Sequence, residues 1–221
     1  YVGSIVVPEK STLTIEGDTG ILTTGKQKSS AGIGQVLHYQ NDGDSGHIII
    51  NGGVIYAYGD YGAAIGGSKS GNGTVTINGG TVNAEANYGA AIGGGQEGTE
   101  STVIITGGTV NAKSSYGAAI GGGQDGKGIV TITGGTIDAK STQSGAAIGG
   151  GTSGDGVVSI ENATVSAASI SGAAIGGGQN GNGEVEITKS TVAATNIIEG
   201  VGVTSPPRSA AIGGGVYGNG T

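Results

Sequence analysis

Thr74-Val75-Thr76-Ile77-Asn78-Gly79-Gly80-Thr81-Val82-Asn83-Ala84 is the stretch on which the fold turns. Its apolar residues Val75, Ile77, Val82 and Ala84 alternate with Thr76, Asn78, Thr81 and Asn83, the period of two that a strand with one buried face requires. The Gly79-Gly80 pair between the two runs suits a tight corner with positive φ. The same phrase returns at residues 102–112, 129–139, 157–167 and 184–194. Outward from it on either side lies a second phrase, Ala-Ala-Ile-Gly, with its isoleucine at Ile65, Ile92, Ile120, Ile148, Ile175 and Ile212, and a variant, Ala-Gly-Ile-Gly, at Ile33. Each unit of 27 to 28 residues therefore reads as three short strands separated by glycine-rich corners.

One such unit cannot bury its own apolar side, but identical units stacked at about 4.8 Å place every residue over its counterpart. The expected fold is all-β, a parallel β-helix or β-solenoid with three short strands per coil. Its interior would hold ladders of Ile33 and its equivalents, of Val75 and Ile77 with theirs, and of Ala84 with its own. Residues 1–30 carry strand-like pieces but no Ala-Ala-Ile-Gly phrase, and are expected to form an irregular N-terminal coil. Residues 31–221 are expected to form one continuous solenoid whose last repeat is truncated without a polar cap, as part of something longer. Corners with Asn162-Ala163 and Lys189-Ser190 in place of Gly-Gly should be tolerated in the first case and looser in the second.

Composition narrows the chemistry. With 52 Gly and no Cys, Met, Trp or Phe among 221 residues, neither a large-side-chain core nor disulfides nor thiolate metal sites are available. A net charge of −7 with a single Arg leaves no basic stripe for phosphates, so no nucleic-acid partner is expected. No apolar run is long enough to span a bilayer as a helix, so no membrane insertion is expected.

The phrases GAAIGGG, VTITGGT and TVNA, together with Ser11-Thr12-Leu13-Thr14-Ile15-Glu16-Gly17, resemble the Gly-rich right-handed parallel β-helix repeats of secreted and cell-surface proteins of Clostridia-like, Gram-positive bacteria. The resemblance implies right-handed coils, an extracellular or cell-surface location and an adhesive or carbohydrate-binding role, without naming contact residues.

Candidate contact residues come from the stacking itself. Tyr61, Tyr88 and Tyr116 precede the Ala-Ala-Ile-Gly phrase in successive units and should form a ladder of rings, joined by Tyr56 and Tyr58 of the preceding coil. Rings with a hydroxyl at the tip suit the CH-rich faces of pyranoses. Asn83 and Asn111, beside Thr81 and Thr109, would project outward to hydrogen-bond glycan hydroxyls. The expected function is non-catalytic contact with polysaccharide or host glycan. A purely architectural spacer or self-assembling filament is the first alternative, and an ice-binding solenoid the second, although the Asn row decays to Asp138, Ser166 and Ala193.

On strict alternation Ala64, Ala91, Ala119, Ala147 and Ala174 would face outward beside Gly66 and its equivalents, a bare strip for lateral self-association, whereas a slip of the alternation at Gly would turn them into a cramped inner corner; the solenoid ends are the other candidate for self-association. Asp42 and Asp44, within Asn41-Asp42-Gly43-Asp44-Ser45-Gly46, are candidate calcium ligands, without the bidentate Glu that closes an EF-hand. Residues 196–208 form an insertion in one corner, with Pro206, Pro207 and Arg208. No cofactor is implied. Enzyme activity is not expected, because Glu161, Glu184 and Glu186 do not share one groove with a base.

Overall fold

A computed structural model describes residues 2–26, 28–36, 43–197 and 209–221. The described residues are all-β, with 22 strands in three parallel sheets. The first sheet has eight strands of two residues each, running from Ile5–Val6 through Ile33–Gly34, Ile92–Gly93 and Ile120–Gly121 to Ile212–Gly213. The second has seven strands from Thr12–Ile15 to Gly183–Thr188, and the third seven from Ile21–Thr23 to Thr191–Asn196. Seven coils result, at residues 5–23, 33–58, 65–85, 92–114, 120–141, 148–169 and 175–196, and the strand of Ile212 opens an eighth turn.

The register is the one the repeat demands. Ile92 pairs with Ile65 on one side and Ile120 on the other, Val103 lies between Val75 and Val130, and Ala112 between Ala84 and Ala139. Ile33, Ile65, Ile92, Ile120, Ile148 and Ile175 are fully buried in one cluster with the Val75 and Ile77 rows and with Ile55, Val82, Val110, Ile137 and Val165. At the two ends these rows emerge into solvent, so that Leu13, Leu22, Val185 and Ile187 are only partly covered and Ile212 is 45% exposed.

The first coil is regular in its pairing. Its segments, expected to be irregular, supply one strand to each sheet, with Ile5 paired to Ile33, Leu13 to Ile48 and Leu22 to Ile55. The backbone ladder needs only an inward β-branched or Leu residue at each position, which these pieces provide without the glycine-rich phrase.

Two rows of glycine have different physical reasons. Gly93 and its equivalents in the first sheet sit at φ between 118° and 143°, and a Cβ there would run into the carbonyl oxygen of the equivalent glycine one coil on, Gly121 in the case of Gly93. The Gly-Gly corners need positive φ at Gly80, Gly108 and Gly135, where a Cβ would also approach a carbonyl oxygen of the preceding coil, less severely, at 2.6, 2.8 and 2.9 Å. Where Gly-Gly is replaced, the left-handed residue moves one position earlier, to Asn162 (φ 50°) and Lys189 (φ 47°). The Lys189 corner is thus the same turn as the Asn162 corner and is not looser. It is held by Lys189 Nζ donating to Glu161 Oε1 (3.2 Å) and by Ser190 Oγ, which accepts from the Ala163 N–H (3.2 Å) and donates to the Thr188 carbonyl (2.8 Å).

The bare alanine strip does not exist. Ala64, Ala91, Ala119, Ala147 and Ala174 are fully buried in the core, and the preceding alanines Ala63, Ala90, Ala118, Ala146 and Ala173 are fully buried as well. Alternation fails because the strand is two residues long and the loop after it doubles back over its outer side. The Ala90 N–H donates to the Gly94 carbonyl (2.8 Å), and the Gln96 N–H reaches the Tyr61 carbonyl of the previous coil (2.8 Å). Gln124 and Thr152 repeat that second bond to Tyr88 and Tyr116.

Candidate functional site

With the first sheet covered by its own loops, the outward faces of the second and third sheets are the open long surfaces. Three columns of side chains run along the axis on the third sheet. The first is Val54, Thr81, Thr109, Thr136, Thr164 and Thr191; the second is Tyr56, Asn83, Asn111, Asp138, Ser166 and Ala193; the third is Tyr58, Glu85, Lys113, Lys140, Ala168 and Thr195. Between the second and third columns, over coils 2 to 5, lies a groove of about 400 Å³ floored by Ala84 and Ala112. Small residues make the floor because alanine occupies the inward position between two long outward neighbours.

Four of the seven residues picked out as glycan contacts meet in this groove. Tyr56 (38% exposed) and Tyr58 form its coil-2 end, and Asn83 and Asn111 line one wall. The two amides are oriented by a ladder: Asn83 Nδ2 donates to the Ile55 carbonyl (3.3 Å) and Asn111 Nδ2 donates to Asn83 Oδ1 (2.9 Å). Residues the sequence reading passed over complete the walls. Glu85 and Lys113 face each other across one coil step (Nζ to Oε1 3.2 Å), while Asp138 and Lys140 close the coil-5 end. The alternation that exposed Asn83 also exposes Glu85 two residues on, so the signal was present in the repeat.

The other three tyrosines lie apart from the groove. Tyr61, Tyr88 and Tyr116 stack with ring centroids 4.8 and 5.0 Å apart and interplanar angles of 4° and 7°. They are half-buried, and their mutual stacking covers both ring faces of Tyr88 and one face each of Tyr61 and Tyr116, faces that a pyranose would use. Their effect is to join coils 3, 4 and 5 at a corner.

The calcium expectation divides. Asp42 lies outside the described residues, as do Asn41 and positions 198–208 of the insertion. Asp44 Oδ1 accepts the Asn72 N–H one coil on (2.8 Å). The same clamp recurs where Asn72 Oδ1 accepts from Glu100 (2.8 Å), Asp155 Oδ1 from Asn182 (2.7 Å) and Asn182 Oδ1 from Asn219 (2.9 Å). Asp44 is thereby accounted for as a member of a column that ties coil to coil. Among the described residues no group of three or more His, Cys, Asp or Glu side chains is placed to hold a metal ion. Glu161 lies level with Thr188, and Glu184 and Glu186 follow Val157 and Ser159 on the second sheet, so the three carboxylates do not converge.

One further charged contact crosses coils. Lys69 Nζ lies 2.8 Å from Glu97 Oε1, and its hydrogen bond, aided by one from Ser70, holds the Glu97 carboxyl below its ordinary value. Glu97 is open to solvent, so this pair is screened and modest.

Four stretches of the chain, residues 48–69, 75–96, 103–124 and 130–152, match the family model of the beta helix repeat. Each begins on an inward residue of the second sheet and ends just past a strand of the first, and so takes in a strand of each sheet. The chain is a parallel β-helix repeat protein. No curated protein and no solved structure matches it. The groove of the β-helix falls within the turns matched by the family model, so it is carried on regular coils rather than on an insertion.

Proposed function

We propose that the β-helix is a non-catalytic adhesive and structural module that contacts polysaccharide or glycan outside the cell. The observation that carries this reading is the gathering of Tyr56, Tyr58, Asn83 and Asn111 in one groove parallel to the axis. Two amphipathic rings at one end and an oriented amide ladder beyond them offer apolar faces and paired donors and acceptors, the combination a sugar hydroxyl pattern requires. Coil height, seen in the 4.8 and 5.0 Å ring spacings, is close to the advance per sugar of an extended pyranose chain, so successive sugars would meet successive coils. In the groove itself Glu85 is paired with Lys113 and Asp138 stands two coils away in the neighbouring column, a separation that supports a binding role rather than hydrolysis by a converging carboxylate pair. The extracellular location rests on the resemblance of the repeats.

Retention on a panel of insoluble glycans tests the reading. The Tyr56→Ala, Tyr58→Ala double variant should lose retention by about tenfold or more, the scale of removing an aromatic anchor. Tyr88→Ala should leave retention close to wild type, because its ring faces are already covered. A double variant retained as well as the wild type would discard the groove.

A further inference from the structure

The outward face of the second sheet has no part in the groove, and its composition is unlike that of the third. Two adjacent columns run along it. One is Thr12, His47, Thr74, Thr102, Ile129, Val157 and Glu184; the other is Thr14, Ile49, Thr76, Ile104, Thr131, Ser159 and Glu186. Through coils 2 to 6 these positions hold no Asp, Glu, Lys or Arg, and eight of the ten are Ile, Val or Thr. Large hydrophobics exposed among the described residues are Val2, Val6 and Ile21 at one end, Ile212 and Tyr217 at the other, Tyr56 in the groove, and Ile104. Ile104 is 37% exposed and stands at the middle coil of this face, where no end effect accounts for it.

We propose that this face is the interface of a homodimer, in which a second copy packs against it with the solenoid axes antiparallel. Charge selects the occupant and its direction. With axes parallel, the two-fold would set Glu184 and Glu186 of one copy against Glu186 and Glu184 of the other. With axes antiparallel, each column faces itself in reverse, so Glu184 and Glu186 meet Thr12 and Thr14, next to Lys10 at the start of that strand, Glu16 lies near the Lys189–Glu161 pair, and at the flank Glu100 faces its own mate with the Lys127 of each copy beside it. The two-fold axis then passes through coil 4, and Ile104 meets its own symmetry mate.

Size and shape agree with this occupant. Seven coils and these two columns of alternate residues cover about 34 Å by about 14 Å, roughly 480 Å² per copy, the size of a weak, reversible interface. Consecutive coils pair in unbroken parallel register along this sheet, so the face presents continuous rows for a second sheet to lie on.

The absence of cysteine makes the test direct. Sedimentation of the wild-type chain should pass from monomer to dimer over the micromolar range, and Ile104→Lys should raise the dissociation constant at least tenfold. If circular dichroism shows that Ile104→Lys does not fold, Ile104→Thr takes its place, since coils 3 and 5 already carry Thr76 and Thr131 in that column; it should weaken the dimer several-fold. On mild oxidation Ile104→Cys alone should form a disulfide-linked dimer, whereas Thr12→Cys and Glu184→Cys should cross-link only when the two variants are mixed. A wild-type chain monomeric at all concentrations overturns the proposal. So does a dimer indifferent to both Ile104 substitutions, or a Thr12→Cys chain that links to itself. Loss of glycan retention by a monomeric Ile104→Lys chain would overturn it too, by assigning the face to a polysaccharide surface.

Discussion

Side chains one residue apart on the same strands behave as two different populations. Inward, Ile77, Ile105, Ile132 and Ile160 are identical from coil to coil and fully buried; outward, their neighbours Thr76, Ile104, Thr131 and Ser159 drift in polarity while remaining in register. The difference teaches where selection for the stack ends. An inward residue packs on its own copy above and below, so any change of volume is felt by two neighbouring coils at once. An outward residue needs only to be compatible with a strand, and so is free to build a groove on one sheet and a smooth face on another.

The sharpest way to break this division is to add one atom where backbone meets backbone. Gly93→Ala would place a methyl group against the Gly121 carbonyl at φ 133°, a conformation L-residues avoid. Neither coil can retreat without breaking its ladders on the other side, so the variant is expected to lose more than about 4 kcal/mol. Thermal unfolding checks it: a melting temperature near that of the wild type would mean that the coils slide apart more easily than their pairing implies. An alanine at Gly79, where φ is not positive, the corner is part-exposed and the new Cβ would stand 2.6 Å from the Asn51 carbonyl oxygen, farther than a Cβ at Gly93 from that of Gly121, is the milder comparison.

Next in size is removal of bulk from the interior. Ile120→Ala should cost about 2–5 kcal/mol, because Ile92 and Ile148 are fixed by hydrogen bonds and cannot close the void. Thr131→Ala, on the outward side of the same coil, should change stability by less than about 0.5 kcal/mol. Chemical denaturation of both variants measures the ratio, and similar losses at the two positions would erase the distinction between inner and outer columns.

That distinction also explains what could be read in advance. Rows of Ile92, Val103, Ile105 and Ala112 were legible because strands of four to six residues keep the period of two, and identical inward residues reveal which positions stack. Ala64 and Ala91 stay open between an outward strip and an inner corner in the sequence because their strand is two residues long and is covered by a loop whose return path is set by bonds between coils, Gln96 to Tyr61 among them. No local pattern encodes such a bond. Tyr88 was correctly placed in a ladder, yet a ladder spaced by one coil height necessarily turns its ring faces on one another, which removed it from the sugar-contacting set. The buried serines Ser114, Ser141 and Ser169 escaped notice for a similar reason. Their hydroxyls donate to carbonyls at the corner of the preceding coil, Gly89, Ser115 and Gly145, and that need appears only once the corner is folded.

The smallest expected effect concerns charge on the outer surface, where Lys69 meets Glu97 across one coil step. The Lys69 hydrogen bond, followed by that from Ser70, lowers the Glu97 carboxyl from its ordinary value of 4.5. A carboxyl depressed in the folded state binds fewer protons there than in the unfolded chain near its unfolded pKa. Its contribution is therefore complete above that value and is lost as the pH falls through the folded one. Since both groups are substantially exposed, the contribution should stay below about 1 kcal/mol. Comparing wild type with Glu97→Gln across the acidic range isolates it: the small stability difference present at neutral pH should vanish once the carboxyl is protonated. A difference that persists unchanged to the acid end would mean that Glu97 acts through packing of its chain against the loop, and that outer contacts between coils are steric rather than ionic.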